Sequence, residues 1–140
     1  MGEKGKMKEL YLELPFPPTV NSYYSKTQRG VYISKKGRQF RDLCAGECVQ
    51  QNAYGLLIDT RLQVDVILYP PDRRIRDLDN YMKALLDALT IAKVWTDDSL
   101  IDGLAIHRGK VISGGKCALR LQQHSGMIFP NSKEVFNFID

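Results

Sequence analysis

Two aspartates, Asp77 and Asp79, stand one residue apart in the stretch RIRDLDNYMKALLDAL, in a strongly cationic setting. The arginines just before them are Arg73, Arg74 and Arg76. Lys83 follows Asp79 by four residues, so a helix here carries both side chains on one face. The plainer interpretation is a capping aspartate with an acidic neighbour, because a helix N-terminus favours one carboxylate through its free N–H groups and dipole.

A second acidic pair, Asp97 and Asp98, lies in a turn beyond that helix, beside Trp95. If the strand that ends at Tyr69 and the strand that begins near Leu100 are neighbours, an aspartate of this turn can meet the first pair. Three carboxylates about 5 Å apart repel by roughly 3 kcal/mol per pair at an effective dielectric constant of about 20. A fold does not assemble such a cluster for stability, which points to a bound cation.

Oxygen ligands without nearby His or Cys select Mg²⁺ or Mn²⁺ over zinc. Mg²⁺ keeps several waters, so the site can hold a phosphate oxygen and the attacking water together. The arginines would neutralise adjacent phosphates, and Lys83 would stabilise charge in the transition state or orient the water. The residues therefore predict a site where a metal ion meets a phosphate.

Some nearby residues have simpler explanations. Asp87 follows Lys83 by four residues, and we interpret the two as a salt bridge on the helix surface. His107 is expected at a surface or interface. Trp95 and Tyr81 are expected to pack in the core.

Length and composition indicate one globular domain. The chain has 140 residues, 44% hydrophobic and 26% charged, enough to bury a core without disulfides. No apolar run approaches the roughly 20 residues of a membrane span, and the N-terminal stretch is not a secretory signal. The three cysteines do not pair with the two histidines in a zinc pattern, so reduced thiols and a cytoplasmic location are expected. These residues are Cys44, Cys48, Cys117, His107 and His124.

The net charge of +4 is concentrated in two segments without acids. The first contains Lys26, Arg29, Lys35, Lys36, Arg38 and Arg41, and the second contains Arg108, Lys110, Lys116 and Arg120. Such segments indicate a polyanionic partner or, equally, a solubilising surface. Tyr23, Tyr24 and Tyr32 lie among the first group and are the candidates for stacking on bases.

The hydrophobic periodicity predicts a single α+β domain with a mixed, mostly antiparallel sheet and two main helices. Strands are expected at Leu10–Leu14, 30–34, 61–69, 100–111 and 116–122, with an irregular proline-rich loop over 15–24. One helix should run from a Ser34 cap to about Tyr54, with an apolar stripe of Phe40, Leu43, Cys44 and Val49. The second should run from about Asp79 to Lys93, with Met82, Leu85, Leu86 and Leu89 inward.

Two segments resemble the RusA family of Holliday-junction resolvases. PFPPTVNSYY is similar to its proline-rich N-terminal motif, and PDRRIRDLDNYMKALLDALTIAKVWTDDSLI is similar to its catalytic segment. The resemblance covers about residues 10–123, so we expect a RusA-like domain over 8–124, a flexible N-terminus over 1–7 and a C-terminal extension over 125–140. It implies a homodimeric, Mg²⁺-dependent endonuclease that cuts four-way DNA junctions by paired, symmetric nicks.

The resemblance also implies roles for individual residues. Asp77, Asp79 and Asp98 would be the catalytic, metal-binding carboxylates, Lys83 the catalytic lysine, and Asp97 only a neighbour. The residues expected to bind DNA are Arg73, Arg74, Arg76, Lys26, Arg29, Lys35 and Lys36. Ile75 departs from the family by interrupting its arginine run.

Two other functions remain open at this stage. The first is a non-catalytic protein that binds branched DNA, in which the acids serve only structure. The second is nucleotidyl or glycosyl transfer, in which the DxD holds a metal–nucleotide complex, although the sequence has no glycine-rich phosphate loop of the G-x-x-x-x-G-K-[ST] type.

Overall fold

A computed structural model describes residues 9–124, which form a four-stranded sheet, a separate hairpin and three helices. The strands are β1 (Leu10–Leu14), β2 (Tyr24–Thr27), β3 (Gly30–Ile33), β4 (Leu62–Tyr69), β5 (Ile101–Arg108) and β6 (Lys116–Gln123). The helices are α1 (Val20–Tyr23), α2 (Lys35–Gln50) and α3 (Met82–Ile91). Our expectations for residues 1–7 and 125–140 lie outside the described residues.

The sheet has the strand order β1-β6-β4-β5. β6 pairs antiparallel with both β1 and β4, whereas β4 and β5 are parallel. β2 and β3 form a separate antiparallel hairpin. This arrangement confirms the predicted α+β class and the mixed, mostly antiparallel sheet.

The strand prediction is strongest for β4, where every second side chain is buried. Leu62, Val64, Val66 and Leu68 are almost fully inaccessible and form the centre of the core. The alternate residues, from Gln63 to Tyr69, are only partly buried on the other face. An alternating strand buries one face against helices and leaves the other accessible.

α2 begins where it was predicted, but its inward face differs. The Ser34 hydroxyl accepts a hydrogen bond from the backbone N–H of Gly37 at 2.9 Å, which is a regular N-cap. The helix ends at Gln50, before the expected Tyr54, and Asn52 adopts a left-handed conformation. The buried side chains are Phe40, Cys44 and Cys48, together with Gly37, while Leu43 and Val49 of the expected stripe are exposed.

Gly37 explains how α2 packs so closely against the segment before it. A Cβ atom at this position would lie 2.6 Å from the carbonyl oxygen of Tyr23. That contact is too short for any side chain, so the glycine permits the approach. The expected irregular loop contains α1 here, because the Thr19 hydroxyl accepts a hydrogen bond from the Ser22 N–H and caps a short helix.

α3 follows a single 3₁₀ turn, Leu78–Tyr81. Its buried side chains are Met82, Ala84, Leu85, Ala88 and Leu89, so the predicted core face is correct except for Leu86, which is partly exposed. Lys93 has a left-handed backbone just beyond the helix, a common way to end one.

The connection β4–α3–β5 is a parallel crossover, and this fixes the direction of α3. Because β4 and β5 run in the same direction, α3 must return the chain from the end of β4 to the start of β5. Between α3 and β5 the chain passes Ile58, whose carbonyl accepts a hydrogen bond from the Thr96 N–H at 3.0 Å. The two ends of α3 therefore lie at opposite ends of these strands.

The three cysteines are free and buried in the core. Burial raises the pKa of Cys48 to about 11 and that of Cys117 to about 12, and it also raises the pKa of Cys44. These thiols are protonated and unreactive near neutral pH. No helix in residues 9–124 is long and apolar enough to cross a membrane.

Candidate active site

Asp77 and Asp79 flank the start of the 3₁₀ turn that leads into α3. Asp77 has the extended backbone of an N-cap residue, but its side chain caps nothing. Within residues 9–124 neither carboxylate takes part in a hydrogen bond or ion pair, and both are exposed. The capping interpretation therefore fails for Asp77, and both carboxylates are available to a ligand.

Lys83 lies in the first turn of α3, four residues after Asp79, and its side chain is exposed. It has no hydrogen bond or ion pair with any residue of the described range. Asp77 and Asp79 lie at the start of the 3₁₀ turn, and Lys83 lies in the first turn of the helix that follows. That the three side chains face one ligand stays a prediction.

Asp97 and Asp98 are distinguished by their local hydrogen bonds. The Asp97 carboxylate accepts a hydrogen bond from the Ser99 N–H at 3.1 Å and caps the short turn Asp98–Leu100. Hydrogen bonding to Ser99 lowers the pKa of Asp97. Asp98 has no such bond and is half-buried. Local structure accounts for Asp97, and Asp98 is the carboxylate of this turn that remains free.

The structure does not bring Asp98 to Asp77 and Asp79 within one chain. The strands ending at Tyr69 and beginning near Leu100 are neighbours, as expected, but they are parallel. Asp98 therefore lies at the start of β5, and the other two acids lie beyond the end of β4. The eight residues of β5 span roughly 25 Å, so the turn that holds Asp98 and the loop that precedes Asp77 lie toward opposite ends of this strand.

Two hydrogen bonds mark the opposite ends. Arg61, just before β4, donates to the carbonyl of Ser99 at 2.9 Å. Arg108, the last residue of β5, donates to the carbonyl of Arg76 at 2.9 Å. Accordingly, no group of three or more acidic, His or Cys side chains within residues 9–124 forms a metal site. Asp77 and Asp79 are oxygen donors of the kind that a hydrated divalent cation accepts.

The loop before Asp77 is braced by Asp72. Its carboxylate pairs with Arg76 at 2.7 Å and with Arg74 at 3.0 Å. Hydrogen bonds from Arg76 and Arg74 hold the pKa of Asp72 well below its usual range. The guanidinium of Arg76 is only 12% exposed and lies over the ring of Phe16 at 5.8 Å. Arg76 therefore organises the loop, whereas Arg73 and Arg74 project into solvent.

The other predicted DNA-binding cations are all exposed. Lys26 and Arg29 lie on the β2–β3 hairpin, and Lys35 and Lys36 begin α2. Lys36 lines a hollow shared with Arg74, Arg76, Phe16 and Tyr81. The start of α2 and the arginine loop thus contribute to one cationic surface.

Asp87 has a partner different from the predicted one. Its carboxylate pairs with Arg41 of α2 at 2.6 Å and accepts a hydrogen bond from the Tyr23 hydroxyl. Arg41 also donates to the Tyr23 oxygen at 2.6 Å. Burial opposes the negative charge, but the bonds from Tyr23 and Arg41 outweigh it and lower the pKa of Asp87. Asp87 therefore joins α3 to α2. The predicted salt bridge between Asp87 and Lys83 does not form within residues 9–124.

The aromatic predictions are partly confirmed. Trp95 and Tyr81 are buried, as expected for packing. Tyr23 is fully buried and cannot stack on a base, because its ring is enclosed between α1, α2 and α3. Tyr32 is half exposed and Tyr24 partly so. Only Tyr24 and Tyr32 remain candidates for stacking.

Sequence reasoning missed Asp72, Phe16 and Arg108 as residues that shape the site. The spacing of Asp72 and Arg76 by four residues was a visible signal for an ion pair. The contacts of Phe16 and Arg108 with the loop depend on tertiary structure. No local pattern in the sequence indicates them.

Comparison with known proteins gives one consistent result. The family described as Endodeoxyribonuclease RusA matches residues 15–121. Crossover junction endodeoxyribonuclease rusA of Enterobacteria phage HK97 is 34% identical over 117 residues, covering 84% of this chain and 97% of the relative. The protein of the same name from Enterobacteria phage 82 is 32% identical with the same coverage. That from Escherichia coli (strain K12) is 33% identical over 120 residues, again with 84% and 97% coverage.

A small α+β domain with free carboxylates beside a braced arginine loop, matched over most of its length to this family, is an endodeoxyribonuclease. The chain belongs to the RusA family. The family predicted from the two motifs is thereby confirmed, and so is the prediction of an enzyme over a non-catalytic DNA-binding protein.

Proposed function

We propose that this chain is a Mg²⁺-dependent, structure-specific endodeoxyribonuclease that resolves four-way DNA junctions by paired, symmetric nicks. The observation that carries the proposal is the free carboxylate pair of Asp77 and Asp79 with Lys83 one turn away. The relatives' names refer to crossover junctions, which supports the same substrate. Its site of action is the cytoplasm.

Asp77, Asp79 and Asp98 are the proposed ligands of the divalent ion. Carboxylates that make no other contact are the hard oxygen donors that Mg²⁺ prefers, and Mn²⁺ substitutes because it accepts the same ligands. The bound ion supplies positive charge that polarises the scissile phosphate and activates the attacking water.

Lys83 stabilises the negative charge that builds on the phosphate oxygens as the bond to water forms and the bond to the leaving oxygen breaks. An exposed ammonium group without a partner is free to make this contact. The nicked strands retain ligatable ends.

A second copy of the chain completes the site. The start of β5, just after Asp98, lies roughly 25 Å from its end, where the loop before Asp77 is bound by Arg108. No group of three acidic side chains within residues 9–124 forms a metal site, so we infer that the third carboxylate comes from another molecule. A two-fold dimer provides this twice, giving two identical sites for the two equivalent strands of a junction. We therefore assign the enzyme as a homodimer with shared metal sites.

The free edge of β5 is the proposed seam of this dimer. β5 pairs only with β4 within residues 9–124, and Leu104 at its centre is 42% exposed. Two copies of one edge strand related by a two-fold axis pair antiparallel. Such pairing sets the start of β5, with Asp98, beside the end of β5 in the second copy, where that copy's Asp77 and Asp79 lie.

The cationic surface holds the junction arms. Arg73 and Arg74 lie in the loop before the carboxylates, and Lys36 lines the same hollow as Arg74. Lys35 is next to Lys36, and Lys26 and Arg29 extend this surface on the hairpin. Arg76 maintains the conformation of the loop. Contacts to phosphates position DNA without reading its sequence, so recognition is mainly of branched shape. Affinity should fall steeply with salt.

One experiment tests the proposal. Purified protein is incubated with a synthetic immobile four-way junction or a linear duplex of matched sequence, in Mg²⁺, Mn²⁺ or EDTA, beside Asp77→Asn. Symmetric nicks in the junction alone, lost with EDTA and in the variant, are the expected result. Binding of the junction without metal-dependent cutting would contradict the proposal.

A further inference from the structure

Ile75 is the most exposed large hydrophobic side chain in residues 9–124. It is 100% accessible, whereas the next in order, Tyr11, is 62% exposed. Single exposed apolar residues are ordinary, so exposure alone assigns no role. The surroundings of Ile75 are what distinguish it.

The backbone on both sides of Ile75 is held by cross-links. Arg74 and Arg76, its two neighbours, both pair with the Asp72 carboxylate. On the far side, Arg108 donates to the carbonyl of Arg76 at 2.9 Å. Ile75 is therefore presented outward by a loop whose shape is fixed before any partner binds, which lowers the entropic cost of using it.

Ile75 forms the ridge between two hollows, and it lines both. One hollow contains Lys36, Arg74 and Arg76, and the other contains Arg73, Arg108 and Lys110. An apolar side chain bordered on both sides by cations matches a nucleic acid, in which phosphates flank the apolar faces of bases. A protein partner would have to place acidic groups on both sides of an apolar contact.

We propose that Ile75 inserts into the base stack at the branch point, directly beside the scissile phosphate; this inference rests on the proposed junction-cutting function. Only Arg76 separates Ile75 from Asp77, so the Cα atoms of Ile75 and Asp77 lie within about 7 Å of each other. Apolar wedges that enter a base step unstack and kink the duplex at a cost of a few kcal/mol.

The cost of insertion explains how Ile75 contributes to selectivity. It is smallest where bases have lost stacking neighbours, and at the exchange point of an open junction the stack of each arm ends. It is also smaller at flexible pyrimidine–purine steps than at stiff ones. Ile75 is thus a specificity-determining residue, which favours branched over linear DNA and flexible steps at the cut.

The test uses fluorescence of 2-aminopurine, placed at the branch of a four-way junction or well along one arm. The protein is the cleavage-deficient Asp77→Asn variant with Ca²⁺, and affinity is measured in the same titration. Ile75→Ala and Ile75→Leu are introduced into this background. Leu43→Ala, at an exposed apolar position of α2, is the matched control.

The expected result is a fluorescence increase at the branch, not in the arm, that Ile75→Ala reduces by about threefold or more. Ile75→Leu and Leu43→Ala should keep it. An equal increase with Ile75→Ala would overturn the insertion. So would a shift of Ile75→Ala toward monomer in sedimentation, which would place Ile75 in a protein interface. Failure of every variant to bind the junction would instead reject the proposed function and the inference with it.

Discussion

At the scale of single residues, the four acids around α3 have different environments. Asp97 is occupied as a cap, whereas the carboxylates of Asp77, Asp79 and Asp98 make no hydrogen bond or ion pair within residues 9–124. No local structural role competes for these three carboxylates, which leaves them available to a ligand. This difference distinguishes the candidate metal ligands Asp77, Asp79 and Asp98 from Asp97, which is also an acid near α3.

Asp98→Asn should abolish cutting of a four-way junction while leaving junction binding intact or tighter, because it removes a ligand charge and relieves repulsion from phosphates. Asp97→Asn is the matched control, since asparagine caps as well as aspartate and should preserve cutting. Gel assays of nicking and binding measure both effects. Full activity of Asp98→Asn would remove that residue from the site.

Lys83→Ala should lower the rate of junction cleavage by about 100-fold or more, because it removes charge stabilisation in the transition state. Binding and thermal stability should change little, since Lys83 is exposed, makes no hydrogen bond or close ion pair within residues 9–124 and acts on Asp87 only through its charge. Single-turnover cleavage rates provide the measurement, with Lys93→Gln at the other end of α3 as the control. A change confined to the melting temperature would reduce Lys83 to a surface charge.

The sequence predicted a helix beginning near Asp79, and α3 begins shortly after it. Asp79 belongs to the 3₁₀ turn and Lys83 to α3, so the helix face predicted for the pair is not part of one α-helix. The family resemblance separated Asp97 from Asp98, and the cap that Asp97 forms agrees with that distinction. The sequence did not predict the partner of Asp87, because Arg41 lies 46 positions away and meets it only after α2 packs on α3. For the same reason Tyr23 looked like an exposed stacking residue among cations and is in fact buried.

At the scale of elements, the orientation of α3 decides what the site is. The hydrophobic periodicity predicted both β4 and α3, and β5 was expected to be a neighbour of β4. Nothing in these patterns specifies whether β5 runs parallel or antiparallel to β4. The direction of β5 depends on the pairing of the whole sheet. Because β5 is parallel to β4, Asp98 lies at the start of β5, whereas Asp77 and Asp79 follow the end of β4.

The contact between α2 and α3 should make stability depend on pH. Arg41→Met should lower the free energy of unfolding by about 1–2 kcal/mol at pH 7, since the pair is only partly buried. The pKa of Asp87 is lowered in the folded state, so this stabilisation is present above the unfolded-state pKa of about 3.9 and is lost as the pH falls through the folded value.

Urea unfolding at pH 7 and at successively lower pH tests this dependence. The difference between wild type and Arg41→Met should shrink once the pH falls below about 4. Arg38→Met, on the same helix and exposed, is the control for loss of a cation. A difference that stays constant across the range would show that Arg41 acts through packing and not through the charge of Asp87.

At the scale of the whole molecule, the ligands of the proposed metal site lie in two separate parts of one chain. The free edge of β5 offers a way to join them, since antiparallel pairing across a two-fold axis exchanges the two ends of the strand. A dimer also matches the two-fold character of a four-way junction. Oligomeric state and catalysis should therefore be inseparable.

Leu104→Asp, at the centre of the β5 edge, should shift the protein toward monomer and abolish cutting while retaining the circular dichroism of the fold. A charge at this position opposes edge-to-edge pairing. Leu43→Asp, at an exposed position of α2, should leave the dimer and its activity intact. Analytical ultracentrifugation and nicking assays measure the two effects, and a fully active Leu104→Asp dimer would exclude this seam.

The most direct test of the shared site is complementation between two inactive variants. Asp77→Asn and Asp98→Asn are refolded together or coexpressed and assayed on a four-way junction with Mg²⁺. In a shared-site dimer one of the two sites of each mixed dimer is intact, so free exchange should restore about a quarter of the wild-type sites, seen as single nicks. If the mixture stays as inactive as either variant alone, although mixed dimers have formed, each site is built within one chain and the shared site is wrong.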